Sequence, residues 1–343
     1  MKIVVDDKIP YIREALAEIA DDVVYLQGSK ICADDVKDAD ALIVRTRTRC
    51  DAALLDKSSV KFIATATIGF DHIDTAYLEQ KGIVWTNCPG CNASSVAQYI
   101  ESCLVLLSRK KGVSLDTLTL GVVGCGHVGS KVKAMAEERG MKVLVCDPPL
   151  ASLQQEGYFV SLDTLARKAD IITFHVPMQK DGPYKTYHMA DEQFFRSLSN
   201  RHPVIINSSR GGVVDNKALL SALEEGLVSE AIIDTWENEP SLLQPLLDKV
   251  FIGTPHIAGY SADGKTNADN MVIEALCQFF GKEKPSVIIP PKAEIEGPLS
   301  EDKDERVLQY YNAMDDSMRL KACPQDFEKL RGDYPVRREE TIR

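Results

Sequence analysis

Short apolar runs alternate with helix-period segments along most of the chain. KIVVDD predicts a strand and IREALAEIA a helix; ADALIVRTRT, VKFIATATIG and GIVWTNC predict three further strands. Strands separated by helix-length segments predict a parallel sheet with helices on both faces. A helix over 94–107 carries Val96, Ile100, Leu104 and Leu107 on one side. A second alternating series begins near Leu118 with TLGVVG, KVLVCD, ADIITFHVP, HPVIINSS, SEAIIDTW and KVFIGTP. That is a doubly wound, nucleotide-binding pattern. Another helix spans 267–280, with Met271, Ala275 and Phe279 spaced for burial. Beyond Gly281, KEKPSVIIPP reads as a linker, and RVLQYYNAMDD and QDFEKLRGDY as charged helices. So few helices cannot enclose their own large apolar side chains, so they must bury them on the body of the chain, on a second chain, or on both.

Composition narrows the function classes. A chain of 343 residues predicts two or three domains, and 44% hydrophobic residues suffice for real cores. No apolar run approaches the ~18 residues of a membrane span. The start, MKIVVDDKIP, lacks a signal-peptide core, which makes the cytoplasm the expected compartment. A formal net charge of -11 disfavours nucleic acid and anionic membranes as partners. An acidic protein that binds an anion must therefore concentrate positive charge locally. Nine scattered cysteines suit reduced thiols. Cys88-Pro89-Gly90-Cys91 forms a C-x-x-C with no second pair, so no metal site is expected. Loop thiols are the favoured reading there, and a redox pair the lesser one.

Gly124-Cys125-Gly126-His127-Val128-Gly129 directly follows a predicted strand and opens a helix. Gly124 permits the tight turn, Gly126 lets the backbone approach a pyrophosphate, and Gly129 lets helix and strand approach closely. The pyrophosphate then meets unpaired N–H groups at the helix start. Asp147 closes the next strand eighteen residues after Gly129. A carboxylate there accepts from the adenosine ribose and repels a 2′-phosphate, which predicts NAD in preference to NADP.

Three chemically apt residues follow later strands: Arg210 after VIINSS, Glu239 after AIIDTW and His256 after VFIGTP. Singly each is bland. Together they match the oxidation of a 2-hydroxy acid. A histidine accepts the hydroxyl proton, a carboxylate fixes its tautomer, and a guanidinium clamps the substrate carboxylate.

In these residues and their order the chain resembles the D-2-hydroxyacid dehydrogenase family, over roughly residues 1–285. The resemblance implies two doubly wound parallel-sheet domains. A flavodoxin-like substrate domain would take 1–93 and 258–285, and an inserted Rossmann NAD domain 94–257. Finer matches (PYIREAL, TATIGFDHID, CPGCNA, CDPP, FHVP, DGPYKT, GVVDNKALL and HIAGY) point to a branch acting on a small phosphorylated acid. The tail, 286–343, looks like that branch's dimerisation domain, which implies a homodimer. Position by position, the resemblance implies NAD contacts at Asp147, Val176, Ser208, Ser209, Arg210, Asp234 and Gly259. It implies substrate contacts at Thr46, Thr67 and Tyr260. Thr46 stands where a serine is frequent, and Val176 can contact NAD only through backbone or apolar surface.

The residues themselves also speak to a phosphate. If the third strand continues past Val44, Arg45, Arg47 and Arg49 project to one side, a costly arrangement unless an anion meets them. If the strand has ended, Arg47 and Arg49 are loop charges, and spacing alone leaves both readings open. Two alternatives stand beside the main one: another substrate, 3-phosphoglycerate foremost, and an NAD-sensing corepressor-like scaffold.

Overall fold

β-branched and small apolar residues fill two separate sheets. The computed structural model describes the chain apart from residues 154–158, 199–200, 293–294, 296 and 340–343. Its contacts divide it into two units, Met1–Asn92 with Ser261–Lys292, and Ala93–Tyr260 with the chain from 293 onward.

In the first unit β1 (Lys2–Asp6), β2 (Asp22–Leu26), β3 (Ala41–Val44), β4 (Phe62–Thr65) and β5 (Val84–Thr86) form a parallel sheet of order β2-β1-β3-β4-β5. That is the flavodoxin-like order. β3 and β4 are buried along their whole length because both faces are covered. On one face the helix Ala262–Phe280 buries Val272, Ile273 and Leu276 against Ile3, Val5 and Phe62. Ser261 caps that helix by accepting from Gly264 N at 2.8 Å. On the other face Val4, Leu42 and Ile63 meet Leu54, Leu55 and Leu78.

Two details differ from the sequence reading. β2, DVVYL, was not expected as a strand; as an edge strand it is only half-buried and lacks a clear alternation. β3 ends at Val44, so Arg45, Arg47 and Arg49 do not line one side of a strand. The chain turns there: Thr48 N donates to Arg45 O at 3.4 Å, and Thr48 Oγ1 donates to Gly28 O at 2.8 Å. Arg49 pairs with Asp51 at 2.7 Å and is exposed.

In the second unit β6 (Thr119–Val123), β7 (Lys142–Cys146), β8 (Ile171–Phe174), β9 (Val204–Asn207), β10 (Glu230–Ile233) and β11 (Ile252–Gly253) form a sheet of order β11-β10-β9-β8-β6-β7. Every pairing is parallel. Beyond β7, Phe159 adds one parallel bridge to Val145, reducing what would be a seventh strand to a single residue. With that bridge counted, the order is 3-2-1-4-5-6-7, the Rossmann order 3-2-1-4-5-6 with β11 added at its edge.

The C-terminal helices Lys303–Tyr310, Ala313–Ala322 and Phe327–Gly332 belong to this second unit. Leu320 and Phe327 are fully buried in one core cluster with Trp236, Leu246 and Leu247. Tyr311 and Ala313 join the other, beside Tyr99 and Cys103. Ala313 N donates to Ser102 Oγ at 3.1 Å, and Gly253 N donates to Ser317 Oγ at 3.0 Å. The tail therefore buries much of its apolar surface on its own chain. Ile257 to Tyr260 also stay with this unit, whose boundary lies at Ser261 instead of residue 258.

Candidate active site

The cofactor motif sits where β6 gives way to the helix His127–Glu138, with Gly126 at its N-cap. Gly124 has φ of 87°, and a Cβ there would lie 2.6 Å from His175 O and 2.8 Å from Val176 Cγ1. A Cβ at Gly129 would lie 1.9 Å from Gly124 O, so only glycine lets the helix start touch the turn. Gly126 is the opposite case: nothing lies within 4 Å of a Cβ built there. A pyrophosphate thus has an open approach to the N–H groups at His127 and Val128.

Asp147 ends β7 beside this turn. Its Oδ2 accepts from Cys125 N at 2.7 Å and its Oδ1 from Leu150 N at 3.0 Å. A carboxylate has about four acceptor sites, so ribose hydroxyls can still be bound. Val176 sets its side chain against the turn at Gly124. Next to it His175 is buried, which drives its imidazole down to about 3 and keeps it neutral.

The loop after β9 is braced by Asn207. Its Oδ1 accepts from Ser209 N at 3.1 Å and Ser209 Oγ at 2.9 Å, while its Nδ2 donates to Arg210 O at 3.0 Å. Arg210 Nη1 donates to Ser209 O at 2.8 Å. Ser208 Oγ is buried without a hydrogen-bond partner. Such an atom calls for a ligand or water, and together with open Gly126 it fits a dinucleotide along this sheet edge. Gly211 then brings the arginine loop against the loop after β10. A Cβ there would lie 1.9 Å from Trp236 O.

That second loop carries Glu239. His256 Nδ1 lies 2.8 Å from Glu239 Oε2 and 3.1 Å from Oε1, and Trp236 N donates to Oε1 at 2.9 Å. Burial pushes the Glu239 carboxyl up, but the hydrogen bond and charge of His256, the Trp236 amide and the Arg331 charge outweigh it, and the net shift is downward. Glu239 is therefore ionised beside the imidazole across the neutral range. His256 itself has φ of 57°.

Asp234, an expected cofactor contact, braces the neighbouring loop through its side chain. Its carboxylate is 1% exposed and accepts from Thr254 Oγ1 at 2.6 Å, Ile257 N at 2.8 Å and Ala258 N at 3.0 Å. Burial raises its carboxyl above the ordinary range. It holds the strand-end loop that carries His256, Gly259 and Tyr260. Tyr260 Oη accepts from Arg331 Nε at 3.0 Å.

Of the expected substrate residues, Arg45, Thr46 and Thr67 belong to the first unit. Arg45 Nη1 donates to Lys8 O at 3.2 Å, Thr46 is exposed, and Thr67 Oγ1 donates to Gly69 O at 2.9 Å. Cys88 and Cys91 are buried free thiols; Cys88 Sγ donates to Thr65 O and Ala268 O, both at 3.4 Å, and burial pushes its thiol far up. A thiol so placed is inert, which supports the loop reading. Sequence reasoning missed Asn207, Gly211 and Arg331. Asn207 and Gly211 flank the recognised arginine at its strand end, a usable signal; Arg331 had none.

Residues 100–258 match the D-isomer specific 2-hydroxyacid dehydrogenase NAD binding domain. The chain is 55% identical over 340 residues to an erythronate-4-phosphate dehydrogenase of Bacteroides fragilis, covering 99% of this chain and 97% of the relative. It is 42% identical over 346 residues to one from Porphyromonas gingivalis, covering 99% and 94%. Among solved structures, D-lactate dehydrogenase from Aquifex aeolicus with NAD and lactic acid matches with a TM-score of 0.66 at 27% identity, covering 82% of this chain and 96% of that one. An NAD+-bound 3-phosphoglycerate dehydrogenase from Entamoeba histolytica matches with a TM-score of 0.68 at 27% identity, covering 82% and 95%.

Proposed function

The chain belongs to the D-2-hydroxyacid dehydrogenase family, and from that membership we infer that it oxidises 4-phospho-D-erythronate at carbon 2 with NAD, giving 3-hydroxy-2-oxo-4-phosphooxybutanoate for vitamin B6 synthesis. The observation that carries the chemistry is the His256–Glu239 pair. Since Nδ1 faces the carboxylate, proton exchange with substrate falls to Nε2. His256 takes the proton of the C2 hydroxyl, and Glu239 stabilises the imidazolium so formed. When bound, NAD supplies the acceptor for the hydride that leaves C2. Arg210 clamps the substrate carboxylate with its two-pronged guanidinium. Thr46, Thr67 and Tyr260 are the proposed hydroxyl contacts to substrate, with Arg45 the proposed cationic contact. A panel of 4-phosphoerythronate, 3-phosphoglycerate and unphosphorylated 2-hydroxy acids tests the assignment. 4-Phosphoerythronate is expected to give the highest kcat/KM; a higher value for 3-phosphoglycerate would reassign the substrate.

Cofactor choice follows from Asp147. With a negative charge where a 2′-phosphate would sit, NAD is expected to outperform NADP by at least about tenfold. Asp147→Ala narrows the ratio, and equal turnover of the wild-type enzyme with both cofactors would remove the role given to Asp147.

The same reading has the protein working as a homodimer in the cytoplasm. Its tail, although seated on its own chain, still exposes Leu299, Met318 and Val336. Among the described residues no helix is long and apolar enough to cross a membrane. Truncation at Ser286 would strip Leu320 and Phe327 from the core, so the assembly is better tested on the full chain. Sedimentation should give twice the chain mass; a monomer at assay concentration removes the dimer.

A further inference from the structure

Three loops leave the C-terminal ends of β8, β9 and β10, and contacts between them close a circuit around Arg210. His188, on the loop after β8, donates its backbone N–H to Gly212 O at 2.7 Å. Ala190 N donates to Val213 O at 3.1 Å and Asp215 N to Ala190 O at 3.0 Å. Residues 188–190 therefore run alongside the segment that follows Arg210. On its other side Gly211 lies against the loop after β10, with Trp236 O 1.9 Å from a Cβ built there. The His188 side chain completes the circuit. Its Nε2 lies 2.7 Å from Glu237 Oε1, two residues before Glu239. Glu237 is fastened in turn: its Oε2 accepts from Asn216 N at 2.9 Å, and its N–H donates to Asn216 Oδ1 at 3.1 Å.

The two ring nitrogens of His188 are not equivalent. A carboxylate oxygen accepts, so Nε2–H donates to Glu237. Nδ1 lies 3.5 Å from Asp215 Oδ2, too far for a strong hydrogen bond. The imidazole stacks on the Tyr187 ring, with 4.0 Å between centroids. The backbone at His188 has φ of 50°, a region that most side chains enter only at a cost, so the contacts it makes must outweigh that cost. One residue thus holds the arginine loop by its main chain and the glutamate loop by its side chain.

We propose that His188 is a positioning residue for the oxidation: through Nε2 and Glu237 it ties the loop of Glu239 to the loop of Arg210, and so fixes the spacing between those two side chains. The proposal rests on the assignment of Arg210 and Glu239 to 2-hydroxyacid oxidation. His188 acts through its neighbours and not on substrate.

Two amide side chains separate the two nitrogens. Glutamine carries its NH2 at the reach of Nε2 and can still donate to Glu237, whereas asparagine reaches only as far as Nδ1. Backbone preference runs the other way, because asparagine is the more at ease at φ of 50°. Loss of one charge-assisted hydrogen bond predicts that His188→Asn lowers kcat/KM for 4-phosphoerythronate about tenfold, while His188→Gln stays within about threefold of wild type. The Kd for ADP-ribose, which probes the Gly124 turn and Asp147, should change less than about twofold in both, since those groups share no partner with His188. The double variant His188→Asn/Glu237→Ala should be little worse than Glu237→Ala alone, because both break the same link. A His188→Asn enzyme as active as wild type, or more active than His188→Gln, overturns the proposal. So do losses that multiply independently in the double variant, and a loss of ADP-ribose affinity that matches the fall in kcat/KM. If the wild-type enzyme prefers a different 2-hydroxy acid, the substrate assignment fails separately, and the same variants are compared on the preferred acid.

Discussion

Replacing His256 lowers turnover by ~10²–10⁴-fold while leaving NAD binding within a few-fold of the wild-type value. The imidazole is held by Glu239 at 2.8 and 3.1 Å, which leaves its other nitrogen to take the hydroxyl proton. Alanine alone is an imperfect probe, because position 256 has φ of 57°, a left-handed conformation costly for most side chains. His256→Asn is the better variant, since asparagine tolerates that backbone and carries no base. Both variants should fail alike; if asparagine restores turnover, the loss in alanine was backbone strain and His256 is not the base. Arg210→Ala should fall comparably through lost orientation, and Arg210→Lys should not rescue it, because an ammonium cannot reproduce the bidentate fork. Gly211 gives an independent check on the same geometry. A methyl group there would collide with Trp236 O, so Gly211→Ala must push apart the loops that carry Arg210 and Glu239.

How far the sequence could be read follows from what kind of signal each part left. The strands buried on both faces, such as ALIV and VIIN, are short unbroken apolar runs and were legible. DVVYL at the edge was not, because half-burial on one neighbour demands no pattern. The glycines at 124 and 129 carried their meaning openly, since each is forced by a backbone contact that any side chain would break. Arg45, Arg47 and Arg49 left two readings open for the opposite reason: alternation shows sidedness only while the strand lasts, and the turn closed by Thr48 ends it. Asp234 sits at a strand end, as a ligand contact would, yet its carboxylate serves the backbone of residues 257 and 258. The tail's apolar residues foretold burial but not its target. Nothing local in QDFEKLRGDY marks Arg331 as the partner of a tyrosine 71 residues earlier.

Removing the charge of Glu239 gives the second large effect, and here the order of variants is the sharper test. Trp236 N donates to Oε1, and a glutamine side chain has only one oxygen to meet it. The amide NH2 then falls at the Oε2 position, 2.8 Å from His256 Nδ1. A donor facing Nδ1 makes that nitrogen the acceptor and places the imidazole proton on Nε2, the wrong tautomer for a base in oxidation. Glu239→Gln should therefore oxidise substrate more slowly than Glu239→Ala, although glutamine is the closer replacement in shape. The pH dependence of stability adds a second reading. The Glu239 carboxyl lies below its ordinary range in the folded chain, so its ionisation stabilises the fold at neutral pH and ceases to as pH falls through that lowered value. The gap in thermal midpoint between wild type and Glu239→Gln should accordingly shrink in acid. A gap that does not shrink in acid would show that the Glu239 charge does not stabilise the fold, and a glutamine variant faster than alanine would show that Trp236 does not fix the orientation of the side chain.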